Sequence, residues 1–254
     1  GASLLLLRWL PGAAALQASA CVGNYACDRG ARTCPAGEDC VLTCSGPDAC
    51  RYMTITGPSG DHTLTILCQG SGRDTCHAMQ IHAEASAAVS FSCAGTGRYF
   101  DWCGYLAKVY CPACDQDGCV AGSASSASSA AGGGGVCDVR CTAATNGQYG
   151  MCYLMRVFSG PGGAEVACQE SGGTSTSRQT CYNLQLHQPS DAAVAATAPV
   201  EIDCTSCEGS SSHWQTPGAL RCCHNAEVAP GTRPVALPET RERKNTHARA
   251  FLPC

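Results

Sequence analysis

Residues 64–81 read LTILCQGSGRDTCHAMQI, in which two alternating apolar runs are separated by a polar loop with a cysteine at each end. Apolar residues stand two and four places before Cys68, and three and five places after Cys76. An apolar period of two is typical of β-strands with one buried face. The stretch therefore predicts a unit of strand, cysteine, loop, cysteine and strand.

The same unit recurs along the chain. The steps from Cys44 to Cys68 and from Cys68 to Cys93 are 24 and 25 residues, and later steps vary as the loops lengthen. A self-similar period of roughly 20–50 residues is typical of repeat architectures. Short strands with one buried face predict an all-β fold, a disulfide-stapled parallel β-helix (β-solenoid) of about seven irregular coils with extended terminal arms.

The cysteines on either side of each loop are close enough in sequence to form small rings within one coil. A ring of this size removes about 2–3 kcal/mol of loop entropy from the unfolded chain. The alternative is that cysteines pair between coils, and sequence alone leaves both open. Within-coil pairing predicts Cys44–Cys50, Cys68–Cys76, Cys93–Cys103, Cys111–Cys119, Cys141–Cys152, Cys168–Cys181 and Cys204–Cys222.

The count of 23 cysteines is odd, so one thiol is left for another chain or stays free. Cys254, on a proline-rich tail, is the candidate intermolecular or unpaired residue. The density of cysteines indicates an oxidising compartment, so we expect a secreted or cell-surface protein. A net charge of −4 without a basic face gives no reason to expect nucleic acid as a partner.

The domain organisation follows from where the repeat begins and ends. Residues 1–20 are apolar and predict an N-terminal arm or a signal-peptide remnant, too short and interrupted to span a membrane. Residues 21–225 form the cysteine-rich solenoid, with possible halves 40–118 and 137–225. The low-complexity run 121–135 between them is interpreted as a projecting loop, with a linker between two domains as the alternative. Residues 226–254 predict an extended C-terminal arm.

Loops such as CSGPDAC and CQGSGRDTC, set in the pattern C-x-x-h-x-h … h-x-h-x-C, resemble those of cysteine-rich parallel β-helix repeat proteins from the surface and secretome of algae and other unicellular eukaryotes. The resemblance covers roughly residues 40–225. It implies extracellular structural or adhesive roles, including fibrous appendages, and it transfers no catalytic residues.

No catalytic or metal-binding constellation stands out in the sequence. The outward strand positions, taken as Thr54, Gln80, His82, Ala107, Arg156 and Gln185, build no acidic row, so we expect no enzyme of the polysaccharide-cleaving kind. Cys111, Cys114, Cys137 and Cys141 fit a zinc site poorly, and disulfides are expected instead. We expect no metal and no cofactor.

The sequence thus predicts a structural subunit of an extracellular filament, sheath or flagellar-hair-like assembly, joined to copies of itself through its terminal arms. The alternative is a secreted or cell-surface module that is adhesive or binds glycans. Its contact surface would be the long loops, where aromatic side chains can stack on sugars. The candidate contact residues are Tyr99, Phe100, Trp102 and Tyr149. A polysaccharide-active β-helix enzyme comes third.

Overall fold

The structure of the protein is a computed structural model that describes residues 16–70, 73–95, 103–114, 135–143, 151–170, 180–204 and 226–229. Its strands form two parallel sheets of seven strands each. Sheet A contains β1 (Leu16–Val22), β3 (Asp39–Ser45), β5 (Thr63–Gly70), β7 (Ala88–Gly95), β9 (Cys137–Ala143), β11 (Ala164–Glu170) and β13 (Val200–Asp203). Sheet B contains β2 (Ala31–Thr33), β4 (Thr54–Thr56), β6 (Gln80–His82), β8 (Lys108–Tyr110), β10 (Arg156–Phe158), β12 (Gln185–His187) and β14 (Glu227–Ala229), and a short helix α1 (Ala192–Ala195) precedes β13.

The chain alternates between the two sheets. Odd-numbered strands lie side by side in chain order in sheet A, and even-numbered strands do the same in sheet B. One repeat is therefore an odd strand, a short connection that we call the arch, an even strand and a return segment. Seven such repeats stack in a solenoid-like arrangement, with cysteine opposite cysteine in sheet A, as at Cys44, Cys68 and Cys93.

Two inward rows of apolar side chains form the core. In sheet A, alternate strand positions point inward, and the central row is fully buried from Leu42 to Val166 through Ile66, Phe91 and Val139. In sheet B the corresponding row is Ile55, Ile81, Val109, Val157 and Leu186, each fully buried. The period of two read from the sequence is the pattern that fills this core.

The arches are hydrogen-bonded parts of the stack. In the second repeat, the backbone N–H of Cys50 donates to Ala26 O at 2.8 Å, and that of Tyr52 donates to His77 O at 2.8 Å. One arch is thus bonded to the repeats before and after it. The φ angles of Asp48, Cys50 and Tyr52 are 56°, 55° and 54°, and this conformation directs their backbone N–H groups toward the neighbouring repeats. This left-handed conformation is unfavourable for non-glycine residues by about 1–2 kcal/mol each, so the hydrogen bonds and the disulfide hold the arch in it.

Disulfides close the arches. Of the bonds expected from sequence, those present are Cys44–Cys50, Cys68–Cys76, Cys93–Cys103, Cys141–Cys152 and Cys168–Cys181. Cys21–Cys27 is a further arch bond that the sequence interpretation missed. Cys204 is disulfide-bonded, and its expected partner Cys222 lies outside the described residues.

The predicted bond between Cys111 and Cys119 is wrong, because Cys111 pairs with Cys137. Cys111 follows a sheet B strand, β8, and Cys137 opens the next sheet A strand, β9. This bond therefore closes a return segment and not an arch, as Cys34–Cys40 does between β2 and β3.

The expected number of repeats is correct through two compensating errors. The expected bond Cys111–Cys119 implies an arch after Cys111, where the structure has none, and the expected bonds include no arch between Cys21 and Cys27, where the structure has one. The fourth repeat is also shifted by one residue. Gly104 there takes the position that Cys76 and Cys152 take in the neighbouring repeats, as the bonds from Gly104 N–H to Thr75 O and from Cys152 N–H to Cys103 O show.

Both predicted arm boundaries are wrong, because the sheets extend further than the cysteine pattern. Strand β1 begins at Leu16, inside the segment 1–20, and β14 lies inside the segment 226–254. The strands on either side of the low-complexity run are direct neighbours, β7 with β9 and β8 with β10. The two possible halves therefore share both sheets, and the low-complexity run itself lies almost entirely outside the described residues.

Candidate functional site

The outer face of sheet B carries an open groove across the fourth to seventh repeats. We call it the cation groove. It has a volume of about 460 Å³ and is lined by Leu106, Lys108, Leu154, Arg156, Asn183, Gln185 and Glu227. The lining comes from two parallel rows, one from the sheet B strands and one from the ends of the arches, so its geometry is set by the stacking of repeats.

Two cations lie side by side in this groove. Lys108 on β8 and Arg156 on β10 occupy facing positions in the parallel register. The same outward row continues with Gln80 before them and Gln185 after them. Strand spacing of about 4.8 Å separates successive members of this row. Among the described residues, no carboxylate lies within ion-pair distance of Lys108 or Arg156, whereas Arg51 contacts Asp48 at 2.9 Å.

The second row of the groove comes from the last residue of each arch with left-handed backbone. Leu106, Leu154 and Asn183 have φ angles of 56°, 54° and 52°. This conformation turns the side chains away from the core, and Leu106 is 41% exposed. An apolar strip therefore runs beside the cations.

A stack of rings borders the groove along the far end of the sheet B strands. His82, Tyr110, Phe158 and His187 stack with centroid distances of 4.7, 4.9 and 4.7 Å. Burial raises the pKa of Tyr110, and the nearby Glu84 adds to this shift. Burial lowers the pKa of His187, and the positive charge of Arg156 acts in the same direction. Both shifts favour the uncharged forms of Tyr110 and His187, which lie beside the charged row.

A second row of rings runs along the arches. Tyr105, Tyr153 and Tyr182 have centroid distances of 5.2 and 5.2 Å, and His77 contacts Tyr105 edge-on at 4.9 Å. Desolvation raises the pKa of Tyr105. The sequence interpretation considered aromatic residues only in the variable part of each arch, whereas Tyr105, Tyr153 and Tyr182 lie near the end of the arch, directly after Gly104, Cys152 and Cys181.

The expectation that no acidic row builds up is wrong. Asp138, Glu165 and Glu201 occupy one outward row of sheet A in three successive repeats. Asp138 accepts a hydrogen bond from Arg140 at 2.9 Å, while Glu165 and Glu201 are exposed. Only sheet B positions were considered in the sequence interpretation, and one of those was also wrong: Ala107 is fully buried, and Lys108 takes the outward position.

The candidate contact residues Tyr99, Phe100, Trp102 and Tyr149 lie outside the described residues, as does Cys254. Cys44, Cys68 and Cys76 bring three sulfur atoms within 4.8 Å of one another. All three belong to disulfides, so they offer no thiolate to a metal ion. Cys111, Cys114, Cys137 and Cys141 are also oxidised.

The two ends of the stack differ in chemistry. At the first repeat, β1 and β2 each have one strand neighbour among the described residues, and Arg32 takes the inward position that Ile55 takes in the next repeat. At the last repeat the inward positions of β13 and β14 hold Ile202 and Val228. At the inward positions of sheet B, the first end therefore has a basic residue and the last end an apolar one.

No helix in the described part of the chain is long and apolar enough to cross a membrane. The density of disulfides indicates an oxidising, extracellular or secreted environment. No family model, no curated protein and no solved structure matches this chain.

Proposed function

We propose that the chain is a parallel β-helix that serves as a structural subunit of an extracellular filament or sheath and joins end to end with copies of itself. The observation that carries this proposal is that both sheets finish, at each end of the described stack, in a strand with one neighbour. Such edges favour pairing with another chain unless they are covered. A head-to-tail contact is heterologous, so it extends without closing.

Charge supports a head-to-tail orientation. The first repeat presents Arg32 and Arg29, whose side chain is 74% exposed, while Asp28 of the same repeat pairs with Arg51 of the second repeat at 3.3 Å. The last repeat presents Glu201 and Glu227, both exposed, together with Asp203. Contact between like ends would oppose charges of one sign, whereas head-to-tail contact opposes arginines and carboxylates.

One ion pair is decisive at such a junction. If the register of sheet B continued from one copy into the next, Val228 would face Arg32, and Glu227 would face Ala31. The guanidinium would then lie over an apolar residue and, because the arginine stem is long, would reach outward to Glu227 of the other copy. Left unpaired and buried, its charge would be strongly destabilising.

The test is the assembly state of the full chain, produced in an oxidising host and followed by sedimentation velocity and negative-stain electron microscopy. We expect concentration-dependent linear oligomers, their loss in Arg32→Glu and in Glu227→Arg, and recovery in the double variant. Arg140→Glu is the matched control, because Arg140 is exposed on the outer face of sheet A. A chain that stays monomeric at all concentrations contradicts the proposal, as does a double variant that assembles no better than either single variant.

The role of the terminal segments and of Cys254 stays a prediction. Electrophoresis of assembled material with and without reductant tests it: a ladder that collapses to one chain on reduction indicates covalent joints, and loss of the ladder in Cys254→Ser assigns them. Binding of glycans is the second candidate function, and the surface that favours it is the cation groove.

A further inference from the structure

We propose that the cation groove binds an acidic polysaccharide, with Lys108 and Arg156 receiving its carboxylate or sulfate groups. The proposal does not depend on end-to-end assembly, because the two cations lie in the fourth and fifth repeats and not at an end of the described stack.

The first argument is the cost of the arrangement without a ligand. Like charges at facing positions of neighbouring strands are destabilising. Lys108 and Arg156 are such a pair, and no described carboxylate lies within ion-pair distance of either; Glu227, at the far end of the groove, accepts a hydrogen bond from Gln185 instead. By contrast, Arg51 pairs with Asp48 and Arg140 pairs with Asp138, each at 2.9 Å. A bound anion between the two cations would relieve the repulsion and gain two charge-assisted hydrogen bonds.

The second argument is the order of groups along the row. Gln80, Lys108, Arg156 and Gln185 follow one another on successive strands, so two cations are flanked by two amides. Gln185 donates to Glu227 at 3.0 Å, which leaves its carbonyl oxygen as an acceptor for a hydroxyl group. This order suits an extended chain that carries an acid group between neutral, hydroxyl-rich units.

The third argument is the apolar strip beside the row. Leu106 and Leu154 are turned away from the core and line the groove next to the cations. Sugar rings have an apolar face as well as a polar edge, and sites for small molecules combine apolar lining with a few placed polar groups. Nucleic acid would need a broader basic surface than two residues on a chain of net charge −4. An acidic peptide would have no need of the flanking amides.

The test is binding of the full, oxidised chain to immobilised polygalacturonate and to dextran sulfate, with neutral dextran and poly-glutamate as comparison surfaces. The two acidic polysaccharides distinguish carboxylate from sulfate recognition. We expect binding to at least one of them, no binding to neutral dextran, and at least a tenfold weaker affinity in Lys108→Gln/Arg156→Gln. Arg73→Gln/Arg140→Gln removes the same charge from exposed positions elsewhere and should change affinity less than twofold.

A second readout keeps the outcome independent of folding. Because the substitutions remove a repulsion, Lys108→Gln/Arg156→Gln should melt at the same temperature as the parent chain or higher, and the acidic polysaccharide should raise the melting temperature of the parent only. Equal weakening in both double variants would mean non-specific attraction and would overturn the proposal. Equal affinity for poly-glutamate would overturn the assignment to carbohydrate. The Arg32→Glu variant, measured in parallel, should bind normally, so failure of assembly and failure of binding are separable.

Discussion

Removal of the Cys111–Cys137 disulfide should destabilise the protein more than removal of any arch disulfide. The bond closes a loop with a sequence separation of 26, against 8 for Cys68–Cys76. In the chain-entropy treatment these separations correspond to about 3.5 and about 2.5 kcal/mol at 25 °C. All four sulfur atoms belong to buried residues, so the loss of packing on replacement by alanine is similar in both pairs. The difference of about 1 kcal/mol therefore reports loop length.

The assay is equilibrium unfolding in urea under non-reducing conditions, followed by far-ultraviolet circular dichroism, for Cys111→Ala/Cys137→Ala and Cys68→Ala/Cys76→Ala. Replacing both partners creates no new thiol that could exchange with the remaining bonds. Peptide mapping of the parent chain should recover Cys111 linked to Cys137. Recovery of a peptide that links Cys111 to Cys119, or a smaller loss for the first variant than for the second, would refute the reasoning.

Three further measurements test the core and two titrating groups. Phe91→Ala should lower the free energy of unfolding by about 3–5 kcal/mol, because Phe91 is fully buried in the central row. Ser92 points outward, so Ser92→Ala should change this free energy by less than about 0.5 kcal/mol. Similar values for the two variants would contradict the assigned inward row. The pKa of Tyr110 should lie above its ordinary value of 10.0, so its contribution to the stability of the fold is fully present below pH 10 and is lost as pH rises through the pKa of the folded state. In an ultraviolet difference titration, Tyr110→Phe should therefore lack one late-titrating phenol, and a normal pKa for Tyr110 would contradict its burial. Asp39 accepts a hydrogen bond from the backbone N–H of Thr63, which lowers the pKa of Asp39. Its contribution to stability is therefore present above the pKa of the unfolded state and is lost as pH falls through the pKa of the folded state. Asp39→Asn should flatten this part of the acid unfolding curve, and an unchanged curve would contradict the hydrogen bond.

Much of the fold follows from local sequence patterns. Cys68 and Cys76, with alternating residues on either side, specify two strands and an arch without knowledge of the rest of the chain. The cysteine spacing predicts the wrong partner for Cys111, because its true partner, Cys137, follows only after the low-complexity run. The return segment there is longer than any arch, so spacing alone assigns the cysteine to the wrong turn. The one-residue shift at Gly104 cannot be seen in the sequence either, because Cys103 lies only one residue from the position that the arch cysteine takes in the neighbouring repeats.

The candidate site could not be predicted from the sequence, because it depends on register between repeats of unequal length. Lys108 and Arg156 are separated by the whole low-complexity loop, and only the pairing of β8 with β10 makes them neighbours. The acidic row of Asp138, Glu165 and Glu201 is hidden in the same way. If the register of one of these strands shifted by one residue, its side chains would move to the opposite face of the sheet.

The two charged surfaces raise one alternative occupant for the cation groove, the acidic row of a second copy. The row and the groove lie on outward faces of different sheets, so one molecule could present its row to the groove of another. Asp138 in this row is already paired with Arg140 at 2.9 Å, and a contact that seats the row against the groove would remove that ion pair from water at a cost in free energy. Lys108→Gln/Arg156→Gln should therefore leave the assembly state unchanged while it weakens binding to the acidic polysaccharide. If the variant instead lost assembly, and polygalacturonate dissolved the oligomers of the parent chain, the groove would be a contact between copies and not a binding site for carbohydrate.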